Sequence, residues 1–510
     1  MSPAAHRSAS MRWALAGIVG LGAALRIRAA RQDLFGDELA TYWVVTTRSF
    51  TGVVRTVATN AEITPPVTFL LSWLATRVGE SVEMLRLPSL LAGVATILLV
   101  HAVALRALGR RGALVAAALT ALSPFMVFYS SEARAYAVMM ALVVLSTLAL
   151  LRAVDTGGAG WWALHALCVA LAAYTHYTCI FVLVAQFGWV LLAHAPARSR
   201  LVLATGAAAA AFLPWLPSVR GDLDSPTTAI MGRLSPFDLE SVPLVLGRWS
   251  VGFPYGGPGR GLVDLLGPVG VALLLVGLGL GVVGALQTAP PLRNAWTGRA
   301  RPLGLVVLLA VATPLGSMLQ STLGTNVFGV RNLAASWPYL AIAVAALLTA
   351  GRPALQGLAA GLVVAALALG AVAVQRPEYE RPSFARVVEL ADAHPGSVVL
   401  NANILSPGPL TNLEIEGTRP SARVFRVFKA PQMERPFTVF EPRPAPSEVF
   451  RQAAVAADGA PIIVLTEIPV PPDVEALLAG LPPGYERTSR EVIRGLYDIG
   501  VLVYEVDPAP

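Results

Sequence analysis

The sequence predicts a polytopic α-helical membrane protein of about eleven transmembrane helices with a small extracytoplasmic α/β domain at its C-terminal end. Three observations lead there. The chain is 55% hydrophobic and only 14% charged, with a mean hydropathy of +0.63, too apolar and too charge-poor for a soluble protein of 510 residues. Its apolar residues gather in windows close to the roughly 20 residues that a helix needs to cross a bilayer. After Val374 the composition changes: Pro, Glu and Asp rise and apolar runs shorten to strand length.

Eleven windows meet the hydropathy criterion, several of them short, and counts between ten and thirteen fit the text. The first six are Trp13 to Leu25, Leu87 to Leu105, Ala113 to Phe128, Tyr136 to Leu151, Trp161 to Tyr174 and Thr178 to Ala193. Leu201 to Leu216, Leu262 to Leu286, Leu303 to Leu323, Leu333 to Leu348 and Ala354 to Val374 complete the set, and Val67 to Ala75 reads as a re-entrant or interfacial helix. The first window has the basic start and apolar centre of a signal peptide. It is read as a retained anchor, because Arg26, Arg28 and Arg31 follow it and no small-residue cleavage site precedes Asp37.

Arginines in the short loops set the orientation, since positive charge stays on the cytoplasmic side. With Arg7 and Arg12 inside, the inner loops carry Arg106, Arg110 and Arg111, then Arg152, Arg198 and Arg200, Arg293, Arg299 and Arg301, and Arg352. The opposite short loops carry only Arg134 and Arg331. A multi-pass plasma-membrane protein follows, with a cytoplasmic N-terminus and an external tail. The net charge of +7 is spread over membrane boundaries without aromatic-interleaved stripes, which points to membrane lipids and not to nucleic acid as partners. Lys429 is the one lysine, and the two cysteines, Cys168 and Cys179, lie in apolar segments and imply neither a disulfide framework nor a metal site.

The division expected is a transmembrane domain over 1–375, with outer loops at about 31–80 and 217–261, and an α/β domain over 376–510. In the latter, Ser397 to Leu400, Pro461 to Thr466 and Gly500 to Glu505 read as strands. Phe384 to Ala393 and Asp473 to Leu481 have helical spacing. The Pro-, Gly- and charge-rich segment Pro217 to Gly261 reads as a long loop over the site. Within it, Asp222-Leu223-Asp224 reads as a solvated turn.

Candidate functional residues collect on the outer face. Asp37 and Glu38 follow the first apolar window, and adjacent ionised groups beside a bilayer mark a substrate site more readily than a structural one. Glu132 and Arg134 stand where the third window gives way to the fourth. Glu62 precedes Thr64-Pro65-Pro66, and His176-Tyr177 and Arg331 fall on the same side. His176 at a helix end is either a hydrogen-bonded packing residue or a ligand of donor or acceptor. Tyr136 and Tyr177 are likewise either interfacial aromatics or ligands.

In order along the chain, Gly36-Asp37-Glu38, Thr64-Pro65-Pro66, Tyr129-Ser130-Ser131-Glu132-Ala133-Arg134-Ala135-Tyr136, Thr175-His176-Tyr177 and Arg331-Asn332-Leu333 with Pro338 resemble the GT-C glycosyltransferases. More narrowly they resemble the branch of the protein O-mannosyltransferases and lipid A aminoarabinose transferases, over roughly residues 10 to 375. Ser131, Thr64 and Asn332 replace the Gln, the His or Tyr, and the Tyr usual at those motif positions, which leaves donor sugar and acceptor open.

The resemblance implies transfer of a sugar, of mannose or pentose type, from a polyprenyl-phosphate donor, with inversion, to a lipid, glycan or protein acceptor of the cell envelope. The chemistry of the residues agrees. An acceptor hydroxyl needs a base, for which Asp37 is chosen. Glu38 either orients Asp37, binds a sugar hydroxyl or is itself the base. Arg134 and Arg331 suit the charge that builds on the departing donor phosphate, since guanidinium forks match phosphate geometry. Glu62, Glu132, Tyr136, His176 and Tyr177 are the substrate-binding candidates. No cofactor is indicated, and a divalent metal is left open. The alternative is a secondary transporter or flippase of a lipid-linked or small polar substrate, which would place ionisable groups near the midplane of repeated halves.

Overall fold

The computed structural model describes residues 3–34, 37–46, 48–59, 62–79, 81–224, 237–255, 261–288, 301–383, 385–402, 423–426, 446–481, 483–496 and 498–506. Gly36, Arg293, Arg299, Lys429 and parts of the expected outer loop, 225–236 and 256–260, lie outside them. The chain divides into two compact units, Met1–Ala30 with Arg48–Val374, and Arg31–Thr47 with Gln375–Pro510. Residues 31–47 thus cluster with the C-terminal residues and not with the helices that flank them in sequence.

Eight helices among the described residues are long and apolar enough to cross a bilayer: Ser10–Ala30, Glu83–Leu122, Tyr136–Thr156, Ala195–Leu223, Leu262–Gln287, Pro302–Leu323, Val330–Leu348 and Pro353–Ala373. Ala159–Ala173 and Tyr177–Ala193 are shorter apolar helices. Each window read from the sequence overlaps one of these segments, although Ala113 to Phe128 runs past Leu122 into the separate helix Pro124–Ser130. Glu83–Leu122 holds two, because its continuous helix is broken at Gly109, whose φ of 77° is a left-handed conformation that a side chain would strain. The segment Val67 to Ala75 is a nine-residue helix.

Helix α1 (Pro3–Ala30) packs on α5 (Val82–Leu122), and a guanidinium repairs the end of the latter. Pro124 has no N–H, so the Thr120 carbonyl loses the donor that the next helical turn would bring. Arg26, fully buried on α1, donates from Nη2 to Thr120 O at 3.0 Å and from Nη1 to Ala121 O at 3.0 Å and Gly22 O at 2.9 Å. Arg86 does the same for α1, donating to Ala30 O at 2.7 Å. In an apolar medium every such carbonyl must find a partner.

Deeper in the first unit, Gln186 donates to Ser146 Oγ at 2.9 Å and Thr147 Oγ1 at 2.7 Å. Tyr339 donates to Val143 O at 2.8 Å, and the Tyr339 hydroxyl meets Thr147 Oγ1 at 2.6 Å. This buried network joins three helices by the interhelical hydrogen bonds that stand in for hydrophobic association in lipid.

The second unit contains a five-stranded sheet in the order β2-β1-β3-β5-β4: β1 (Val398–Asn401), β2 (Arg423–Arg426), β3 (Ile462–Glu467), β4 (Tyr485–Ile493) and β5 (Ile499–Val506). β1 runs parallel to β2 and β3, while β5 is antiparallel to β3 and β4. Alternate side chains build two cores. Val398, Leu400, Ile462, Val464 and Leu502 pack with Val449, Phe450 and Ala453 of helix Pro446–Ala457 and Val474 of helix Pro472–Leu478. Val399, Ile463, Leu465, Ile499 and Val501 pack with Val387 and Leu390 of helix Ala385–Ala393. The sheet is therefore covered on both faces, as parallel strand pairs require. Leu400 is fully buried in the first of these cores. Leu400→Ala is expected to destabilise this unit by about 2–5 kcal/mol, read as a lowered unfolding midpoint.

Candidate functional site

The turn that joins α6 (Pro124–Ser130) to α7 (Tyr136–Thr156) carries the central charges. Ser123 caps α6 by accepting from Met126 N at 3.3 Å, with Pro124 at the first helical position, where a missing N–H costs nothing. Beyond Ser131 the chain tightens, with Arg134 N donating to Glu132 O at 2.8 Å, and Ser89 Oγ of α5 holds Arg134 O at 3.2 Å.

Arg134 faces Glu62 in a two-pronged contact: Nη1 donates to Oε2 at 3.2 Å and Nη2 to Oε1 at 3.3 Å. Nη2 also donates to Thr64 Oγ1 at 3.2 Å, so this threonine is a ligand of the guanidinium. The pair is buried, 7% exposed for Arg134 and 2% for Glu62, with the guanidinium 5.8 Å from the Phe69 ring centroid. The segment carrying Glu62 and Thr64 is set by Pro66 at the head of helix Val67–Ala75 and by Val67 N donating to Tyr174 O at 3.0 Å.

His176 occupies the turn after helix Ala159–Ala173. Its Nδ1 accepts from Thr178 N at 3.3 Å, which assigns the ring proton to Nε2. Burial first, and then the charges of Arg134 and Arg331, push its pKa down to about 3. Both arginines therefore act on one imidazole. Arg331 lies in the 3₁₀ segment Val330–Ser336. That segment is pinned by Ser336, whose hydroxyl donates to Leu309 O at 2.6 Å and accepts from Thr313 N at 3.0 Å. The side chain is inserted into the hydrogen-bond ladder of helix Arg301–Leu323, at the rung next to the one that Pro314 cannot make.

An aromatic row crosses the same region. Tyr255 lies 5.2 Å from Phe128, Phe128 5.3 Å from Tyr129, Tyr129 4.8 Å from Tyr136, and Tyr136 5.3 Å from His176, between ring centroids. The Tyr129 phenol is held well above its ordinary pKa, by burial first and then by Glu132, Tyr136 and Tyr255, with Arg331 opposing. Glu62, Glu132, Arg134, Tyr136, His176 and Arg331 are thus brought together in the first unit.

Tyr177 stands beside them with a partner the sequence reading missed. Its hydroxyl donates to Asp222 Oδ2 at 2.5 Å and accepts from Trp215 Nε1 at 3.1 Å. Asp222 is buried near the end of helix Leu216–Leu223, so the solvated turn expected over Asp222-Leu223-Asp224 is corrected: only Asp224 follows the helix and is exposed. The signal available in the sequence was Pro217 at a helix start, five residues before Asp222.

Asp37 and Glu38 belong to the second unit, at the first turn of α2 (Asp37–Thr46), where the positive end of the helix dipole favours carboxylates. Asp37 is half-buried. Glu38 is fully buried in an ion pair with Arg381 at 3.3 Å. Among the described residues no three His, Cys, Asp or Glu side chains are grouped as a metal ion would require.

Residues 64–218 match the family described as dolichyl-phosphate-mannose-protein mannosyltransferase. No curated protein aligns with the chain by sequence. The fold is similar to that of ArnT from Cupriavidus metallidurans in the apo state, at 14% identity and a TM-score of 0.56 over 98% of each chain. The same protein bound to undecaprenyl phosphate aligns at 14% identity with a TM-score of 0.54, over 96% of this chain and 97% of that one. The archaeal oligosaccharyltransferase AglB from Archaeoglobus fulgidus, in complex with an inhibitory peptide and a dolichol-phosphate, aligns at 12% identity with a TM-score of 0.51, over 99% of this chain and 75% of that one. The resemblance to GT-C membrane glycosyltransferases seen in the motifs holds for the fold.

A pH dependence follows from His176. Its folded pKa of about 3 lies below the unfolded value of 6.5, so the unfolded chain binds the extra proton between those limits. Stability is expected to fall as pH drops from about 6.5 toward about 3, and to show no contribution from this group above 7. His176→Gln should flatten that part of the slope in detergent-solubilised melts, and an unchanged slope would contradict it.

Proposed function

We propose that the chain is an integral-membrane inverting glycosyltransferase that moves a mannose- or pentose-type sugar from a polyprenyl-phosphate donor to a cell-envelope acceptor on the outer face of the membrane. The observation that supports this is the grouping of Arg134, Arg331 and His176 with Glu62 and Glu132 in turns between helices of the first unit. Two guanidinium charges near one buried point suit a phosphate leaving group, and the likeness to structures holding undecaprenyl phosphate and dolichol-phosphate supports that class of donor.

In this reading the acceptor oxygen attacks the anomeric carbon from the face opposite the phosphate, and the bond from that carbon to the phosphate oxygen breaks. Asp37 takes the acceptor proton. Glu38 is engaged with Arg381, which favours Asp37 as the base. Arg331, half-buried, contacts the phosphate directly; Arg134, paired with Glu62, fixes the turn that presents Glu132. The Nε2–H of a neutral His176 donates to a donor or acceptor oxygen. Tyr136 and Tyr177 line the sugar. Lipid phosphate is a competent leaving group, so one base and a cationic clamp suffice. The N-terminus is cytoplasmic and the C-terminal unit extracytoplasmic, following the arginine bias of the loops.

The test is to incubate purified protein with polyprenyl-phosphate mannose, arabinose and related donors and to follow release of polyprenyl phosphate. Asp37→Asn is expected to lower kcat by about 10²–10⁴ with donor affinity retained. Arg331→Gln is expected to weaken polyprenyl-phosphate binding by about 10- to 100-fold, the loss of one charge-assisted contact. Movement of intact donor across vesicles without sugar release, in wild type and Asp37→Asn alike, would support a transporter in place of an enzyme.

A further inference from the structure

The candidate base sits on a segment, Arg31–Thr47, that folds with the C-terminal residues. The hold on that segment is specific. Arg381 pairs with Glu38 at 3.3 Å, both side chains being at most 1% exposed. Gln32 Oε1 accepts from Arg381 N at 3.1 Å and from Arg381 Nη1 at 3.3 Å. One arginine thus grips residues on either side of Asp37's position in the chain, five before it and one after.

Arg381 is itself fixed by the sheet. Leu496 N, in the connection between β4 and β5, donates to Glu380 O at 2.8 Å. Gly495 lies so close to Pro382, the residue after Arg381, that an added Cβ would fall 2.9 Å from Pro382 N and Cα, closer than side-chain carbons approach backbone. A continuous line of contacts therefore runs from the β4–β5 connection through 380–382 to Glu38.

A buried ion pair contributes little stability over apolar side chains of like size, while breaking one partner is costly. What it does supply is register, because charge and fork geometry allow one seating. We infer that Arg381 is a positioning residue for Asp37, so that the C-terminal α/β unit sets the direction of the carboxylate that takes the acceptor proton. The inference rests on the reading of Asp37 as the base. It gives the C-terminal unit a part in turnover without requiring that unit to bind substrate.

The experiment uses the full-length protein and the donor that the wild type turns over, with polyprenyl phosphate as the binding probe. Arg381→Met is expected to lower kcat by about 10²-fold, the scale of a misplacement near 1 Å, with polyprenyl-phosphate affinity within twofold of wild type. Arg381→Lys, keeping the charge but not the fork, should recover part of the loss. Because a buried Glu38 deprived of Arg381 can unfold the unit, Gly495→Ala provides a second perturbation that keeps both side chains of the ion pair and displaces 380–382; it should lower kcat in the same direction. Wild-type kcat in Arg381→Met, Arg381→Lys and Gly495→Ala, with turnover abolished in Asp37→Asn, would overturn the positioning role and leave the base assignment standing. Full turnover in Asp37→Asn would overturn the base assignment and this inference with it. Parallel loss of binding and kcat in the Arg381 and Gly495 variants would mark a general folding role and overturn the inference.

Discussion

A carbonyl that loses its helical partner in an apolar surrounding must be given another donor, and in this chain buried guanidinium groups stand at the interruptions. Arg26 takes the carbonyls left by Pro124, Arg86 takes the last turn of α1, and Arg134 crosses the turn between α6 and α7 to reach Glu62. The break at Ser123–Pro124 separates α5 from the short α6, which ends at Ser130, so that Ser131, Glu132 and Arg134 lie in the buried turn before α7.

Much of the architecture was legible because apolar length is written residue by residue. The motif residues Glu62, Glu132, Arg134, His176 and Arg331 could be read as one group from their order along the chain, and the first unit brings them together. Their pairing could not, since Glu62 and Arg134 are separated by 72 positions and nothing local distinguishes an ion pair from two solvated charges. Asp222 was misread for a related reason: an Asp-Leu-Asp triplet in a Pro- and Gly-rich stretch has the composition of a turn, and only the tertiary approach of Tyr177 and Trp215 buries it. Arg26 looked like the flank of an anchor, although Pro124 at the end of an apolar run was a visible sign that a carbonyl needed a donor.

In the second unit the buried strands β1, β3 and β5 were evident as short apolar runs. β4 was not, because it is an edge strand whose Glu486, Arg487, Arg490 and Glu491 suit solvent and discourage pairing with another chain. The short β2, with an arginine at each end, carries too little pattern to be read. The assignment of residues 31–47 to this unit was equally hidden, since the contact that holds them joins Glu38 to Arg381 across more than three hundred positions.

That long-range closure orders events during synthesis. β5 lies between β3 and β4 in the sheet, yet it is translated after both, so neither the sheet nor the seat for Glu38 is complete until the final strand has emerged. A nascent chain can insert its helices while Glu38 still waits for Arg381. The segment 31–47 gains its seat only when β5 slots between its two neighbours.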